Sequence, residues 1–118
     1  MATKLYQGSC HCGAVRYEAS VDLDHTISCN CSRCGRLGSI LIFTPAENFT
    51  LVSGEDVLTD YLFNKHVIHH LFCRVCGIES FARGTKPDGT AMIAINARCL
   101  EEVDPDALTP QKVDGRSF

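Results

Sequence analysis

Seven of the eight cysteines in the 118-residue chain fall into three tight clusters: Cys10-His11-Cys12, Cys29-Asn30-Cys31-Ser32-Arg33-Cys34 and Cys73-Arg74-Val75-Cys76. Thiolates two or three positions apart on a tight turn can face one ion, and two such turns together supply the four tetrahedral ligands of a structural zinc. Two pairs and one triplet make an uneven count. Four thiolates close one site, and the remaining three match a zinc that keeps its fourth position for water or substrate and acts there as a Lewis acid.

The partition follows from economy. Cys29, Cys31 and Cys34 are close enough to hold one ion unaided, whereas each pair needs a partner. Cys10 and Cys12 therefore join Cys73 and Cys76 in a closed site that staples the start of the chain to its middle. Gly13 and Gly77 follow these pairs, as suits a backbone whose N–H groups approach thiolates closely. The competing arrangement is a second structural site, with the triplet completed by Cys99 or a histidine. Otherwise Cys99 is a small buried apolar residue.

A disulfide framework is the other use of so many cysteines. Cysteine makes up 8 of 118 residues, below the density of a small disulfide scaffold. Residues Met1 to Gln7 contain no apolar signal-peptide core, so the expected compartment is the cytoplasm, where thiols stay reduced. No apolar run is long enough for a membrane span, and no membrane partner is expected.

The formal charge of −3 becomes about −6 if a four-thiolate zinc site adds −2 and a three-thiolate site −1. Without a segregated basic patch or a paired-histidine finger helix, such a chain is not expected to bind nucleic acid.

The elements that position these residues read mostly as strands. Val15, Tyr17, Ala19 and Val21 alternate with Arg16, Glu18 and Ser20, the pattern of a strand with one buried face, leaving the first cysteine turn directly. Short apolar runs follow at 39–43 and 50–53, then 57–63 and 67–72, which are joined through Asn64-Lys65-His66 and deliver the chain to Cys73. Strands are also expected at 78–83 and 91–95, with Lys86-Pro87-Asp88-Gly89 as the turn between them. Only single helical turns are expected, at 32–37 and 45–48. The chain reads as one domain, residues 1–118, with a core of about 4–104. Pro105, Pro110 and Gly115 mark the tail 105–118 as irregular.

Gly8-Ser9-Cys10-His11-Cys12-Gly13-Ala14-Val15-Arg16-Tyr17, then Cys29-Asn30-Cys31-Ser32-Arg33-Cys34, then Phe72-Cys73-Arg74-Val75-Cys76-Gly77, in this order, resemble the glutathione-dependent formaldehyde-activating enzyme family, which includes a centromere-protein-V-like branch. The resemblance runs from about Gly8 to Leu100. It implies an all-β, zinc-bound β-tent of antiparallel sheets, with two zinc ions per chain. By the same resemblance Cys10, Cys12, Cys73 and Cys76 match structural zinc ligands, and Cys29, Cys31 and Cys34 match catalytic ones. The implied activity is that of a carbon-sulfur lyase of the S-hydroxymethylglutathione synthase type, acting on glutathione or another small-thiol adduct. This chain carries Gly35, with Arg36 next, where family enzymes commonly have a basic residue.

Arg33 and Arg36 flank the triplet and are candidates to receive a substrate carboxylate, because guanidinium recognises carboxylates in bidentate fashion. His66, His69 and His70 lie on one strand, His69 facing opposite to the others, and read as structural histidines with a possible acid-base role for His69 or His70. His11 reads as a turn residue and His25 as surface loop. Two further function classes are compatible with these residues: a zinc-stabilised protein-binding module, and a redox protein using the Cys29, Cys31 and Cys34 thiols.

Overall fold

The alternation along the first predicted strand is the seed of the core. In the computed structural model, which describes residues 3–62 and 67–117, Val15, Tyr17, Ala19 and Val21 are all buried. Among the described residues, ten strands form two sheets. β1 (Lys4–Ser9), β2 (Arg16–Val21) and β5 (Phe49–Ser53) make the smaller, in the order β1-β2-β5. The larger comprises β3 (Ile27–Cys29), β4 (Leu41–Pro45), β6 (Leu58–Tyr61), β7 (His69–Cys73), β8 (Phe81–Thr85), β9 (Ala91–Asn96) and β10 (Gln111–Val113), in the order β10-β3-β4-β9-β8-β7-β6. A single α-helix, α1 (Ser32–Leu37), and short 3-10 turns at Ala46–Asn48, Glu55–Val57, Ala97–Cys99, Pro105–Ala107 and Gly115–Ser117 complete the described residues. The architecture is mainly β, as the sequence predicts.

The sheets face each other across an apolar layer. Tyr17 of β2, Phe49 of β5 and Phe81 of β8 form an aromatic cluster with ring centroids 4.8–5.7 Å apart. Ile42 of β4, Ile93 and Ile95 of β9, and Leu71 and Cys73 of β7 extend it. Burial of such side chains contributes about 1.5–3 kcal/mol each. Two cysteines, Cys10 and Cys73, belong to this cluster, so the four-cysteine site is anchored in the core.

Three strands lie outside the predicted set. β1 alternates weakly and buries only Gly8, whose Cα is in such close contact with the Tyr17 ring that a β-carbon there would overlap it. β3 is three residues long and ends in Cys29. β10 corrects the expectation of an irregular tail: it pairs in parallel with β3, Gln111 opposite Ile27 and Val113 opposite Cys29. Its signal is masked because Gln111 and Lys112 are exposed and a three-residue edge strand has no visible period. The parallel pair also departs from the expected all-antiparallel sheets. The strand expected at 78–83 begins at Phe81, because Ile78 to Ser80 complete the turn after Cys76. The predicted connection Asn64-Lys65-His66 lies outside the described residues, as does His66 itself.

Candidate metal centres

Both cysteine pairs sit on turns built alike. The N–H of Cys10 donates to the carbonyl of Val15 (3.1 Å), and the N–H of Cys73 donates to that of Ile78 (3.0 Å), so each turn closes five residues on. Gly13 and Gly77 return an N–H to the first cysteine's carbonyl, both with φ near +80°, the left-handed region that a β-carbon disfavours. The core brings the two turns together, because β2 leaves one and β7 enters the other.

The Sγ atoms of Cys10, Cys12, Cys73 and Cys76 all lie within 4.8 Å of one another. Cys12 Sγ is 3.7 Å from both Cys10 Sγ and Cys73 Sγ. Tetrahedral zinc with bonds of about 2.3 Å separates its sulfurs by about 3.8 Å, whereas a disulfide requires about 2.05 Å. The donor set therefore fits zinc. The N–H of Val15 donates to Cys10 Sγ at 3.3 Å, a bond that favours the thiolate.

Ionisation within this cluster is uneven. Burial opposes the charge on Cys76, but backbone N–H groups of Cys12 and Ile78 hold its thiol down at about 6. The N–H of Cys76 likewise lowers the Cys73 thiol. At Cys12 the N–H of Ala14 pulls down, yet burial and the neighbouring Cys10, Cys73 and Cys76 sulfurs prevail and push the thiol up to about 11. Like charges at one point resist full ionisation; a bound dication removes that resistance.

The triplet is built on a strand end and a helix start. Cys29 closes β3, Cys31 is the N-cap of α1 and Cys34 lies in its first turn. The N–H of Cys31 donates to Cys29 Sγ (3.4 Å) and that of Cys34 to Cys31 Sγ (3.3 Å). Gly38, at φ 73°, ends the helix with its N–H on the carbonyl of Cys34. The three Sγ atoms lie within 4.8 Å of one another, a three-thiolate donor set that could hold a second zinc. Against an opposing burial, N–H groups of Cys34 and Arg33 lower the Cys31 thiol. Burial and then the Cys31 and Cys29 sulfurs push Cys34 up to about 12, with the Ser39 hydroxyl pulling the other way. Cys99 stands outside both groups. Burial raises its thiol, and its sulfur lies 3.9 Å from the carbonyl of Glu79.

Further residues surround the triplet, among them Asn30, Gly115, Asp114 and Tyr61, which the sequence alone does not single out. Asn30 fastens the C-terminal segment over it: its N–H donates to Val113 O (3.2 Å), its Nδ2 to Asp114 Oδ1 (2.9 Å), and its Oδ1 accepts from the N–H of Arg116 (2.9 Å). This lays Gly115 against Cys29 Sγ. The Ser117 hydroxyl and Asn30 hold the Asp114 carboxyl below its ordinary range. On the other side of the helix a cavity of about 460 Å³ is lined by Ser32, Arg33, Arg36, Leu37 and Tyr61. Arg33 Nε donates to Glu79 Oε1 at 3.0 Å, Nη2 bonds the same oxygen, and the guanidinium lies 4.7 Å from the centre of the Tyr61 ring. Arg36 Nη1 donates to Ser32 O at 2.8 Å.

The histidines divide as strand alternation requires. His70 is buried, with Nδ1 3.7 Å from Glu79 Oε2. His69 points the other way, exposed, with Nδ1 2.6 Å from Asp60 Oδ2. His11 is exposed on its turn. His25, also exposed, lies 3.6 Å from Asp22.

Comparison with known proteins agrees with this architecture. A crystal structure of a Rhodobacter sphaeroides protein superposes with a TM-score of 0.81 at 31% sequence identity, covering 91% of this chain and 99% of the other. The sequence profile described as glutathione-dependent formaldehyde-activating enzyme matches residues 5–114. On that match, spanning both cysteine groups and the C-terminal strand, the chain belongs to the glutathione-dependent formaldehyde-activating enzyme family.

Proposed function

We propose that the chain is a carbon-sulfur lyase of the S-hydroxymethylglutathione synthase type, acting on glutathione or another small-thiol adduct. In this reading Cys10, Cys12, Cys73 and Cys76 hold a structural zinc, and Cys29, Cys31 and Cys34 hold a second. The observation that carries it is the triplet itself: three cysteine sulfurs converge, no fourth His, Cys, Asp or Glu joins them among the described residues, and a cavity flanks the helix that bears Cys34. When bound there, zinc supplies a Lewis acid with a preference for soft sulfur ligands.

The reaction needs little from the protein beyond placement. The thiol sulfur attacks the carbonyl carbon of formaldehyde, a C–S bond forms, the C=O π pair moves to oxygen, and that oxygen takes a proton as the thiol gives one up. Because the two reactants combine unaided, the gain lies in holding them in line. Of the two arginines in the cavity wall, Arg33 and Arg36, the exposed Arg36 is suited to orient a carboxylate of the thiol. A reducing compartment such as the cytosol suits seven ligand thiols.

The test is formaldehyde exchange with glutathione followed by NMR at equilibrium, with and without protein. Acceleration that disappears in Cys31→Ser, with the fold retained, is the expected result. Absence of acceleration for glutathione and for other small thiols would leave the triplet without this role.

A further inference from the structure

The two arginines of the cavity have unequal electrostatic status. Arg33 is mostly enclosed, its side chain 22% exposed, and two of its nitrogens bond one oxygen of Glu79, whose side chain is 7% exposed. The Tyr61 ring covers the guanidinium. Its charge is therefore cancelled inside the wall. Arg36 is exposed, donates only to the neutral carbonyl of Ser32, and has no carboxylate partner among the described residues. Its Nε and Nη2 have no hydrogen-bond acceptor there either.

The chemistry at the triplet sharpens the difference. Three thiolates around a dication leave a net charge of about −1, and a thiolate substrate adds another. A further anion nearby is tolerated only where an uncompensated cation faces it. Arg33 cannot serve, because Glu79 already balances it.

We propose that the cavity beside α1 binds one carboxylate of a thiol substrate, that Arg36 supplies the charge, and that Glu79 limits the cavity to one carboxylate by neutralising Arg33. The inference rests on the thiol-adduct reading above and adds a specificity residue, Glu79, three positions beyond the last cysteine of the other metal site. Glu79 acts through Arg33 and touches no substrate.

The chain loaded with cobalt(II) in place of zinc tests this by thiolate-to-cobalt absorption. The probes are 2-mercaptoethanol, 3-mercaptopropionate and mercaptosuccinate, which carry none, one and two carboxylates. The wild type is expected to bind 3-mercaptopropionate about fivefold more tightly than 2-mercaptoethanol, with no further gain for mercaptosuccinate. In Arg36→Gln the ratio of the first two dissociation constants falls to near one. In Glu79→Gln, which keeps the shape but removes the charge, mercaptosuccinate gains about fivefold over 3-mercaptopropionate. Should the buried Glu79→Gln lose its metal, the exposed Arg36→Gln decides the proposal. Thiol binding with no carboxylate preference in the wild type, or a preference that survives Arg36→Gln, overturns the inference alone. No spectral response to any of the three thiols overturns the thiol-adduct reading and this inference with it.

Discussion

The backbone of Gly115 lies directly against the sulfur of Cys29: a β-carbon built at position 115 would overlap Cys29 Sγ and stand 3.3 Å from Cys31 Cβ. The C-terminal segment is thus a wall of the triplet, and its approach depends on the missing side chain. Since Asn30 pins that wall on both flanks, the segment cannot retreat without giving up three hydrogen bonds.

Gly115→Ala should therefore displace either the tail or Cys29. If each cysteine group holds a metal ion, as its donors allow, elemental analysis of the variant should show the triplet metal lost or more easily chelated, and the four-cysteine metal retained. A chain ending at Pro110 should also lose β10 and bind the triplet metal more weakly. Unchanged chelation kinetics in both variants would mean that the tail merely rests on the site.

The Arg33–Glu79 pair gives a second prediction. Arg33→Ala leaves the Glu79 carboxylate enclosed, with the more distant His70 as its one ion-pair partner among the described residues. Stranding a buried charge typically costs about 3–5 kcal/mol. Arg36→Ala removes an exposed side chain with one hydrogen bond to its own helix, and should alter stability by no more than about 0.5 kcal/mol. Urea unfolding of the two variants side by side checks the contrast. Equal midpoints would show that Glu79 is solvated or neutral in the folded chain.

These contacts mark where the sequence stops being legible. Local spacing exposes the three cysteine clusters, and period-2 alternation exposes β2, because both signals reside in consecutive residues. Most apolar strands are also readable, and the helical turn at 32–37 falls where α1 lies. Glu79, Tyr61 and Gly115 act through long-range contacts: Glu79 is 46 residues from Arg33, and Asp114 is 84 from Asn30. No local period reports such pairs. The tail looks irregular because its partner, β3, is itself only three residues long and ends at Cys29. In the sequence the arginines are visible as charges near the triplet, but their inequality depends on a carboxylate delivered by a different strand connection.

The two cysteine groups should respond differently to the same substitution. Cys73 is fully enclosed, belongs to the core cluster and ends β7, so Cys73→Ser removes a ligand and core packing together. A structural zinc can contribute on the order of 10 kcal/mol, comparable to the net stability of a small domain. Loss of cooperative unfolding and of the folded circular dichroism spectrum is expected. Cys31 is only half-buried and lies outside the core cluster. Cys31→Ser should retain the fold while losing one metal. A folded Cys73→Ser with native stability would show that the core stands without the four-cysteine site.

Metal affinity at the triplet should rise with pH, and the direction follows from Cys34. In the metal-free chain burial and the Cys31 and Cys29 sulfurs push its thiol up to about 12, so it holds its proton throughout the neutral range. Zinc binds the thiolate, and binding must expel that proton. Raising the pH lowers the cost of expulsion; each unit should strengthen binding about tenfold per proton released, until the thiol ionises by itself. Acidification acts in reverse and empties the site. At the four-cysteine group, Cys12, pushed up to about 11, imposes the same sign, while Cys76, held at about 6, adds a further proton only once the pH falls to that region. Competition with a chromophoric chelator between about pH 6 and 9, in wild type and in Cys31→Ser, separates the two groups. A triplet affinity independent of pH over that range would mean that Cys34 is already ionised without metal, and that its neighbours do not burden it as the geometry requires.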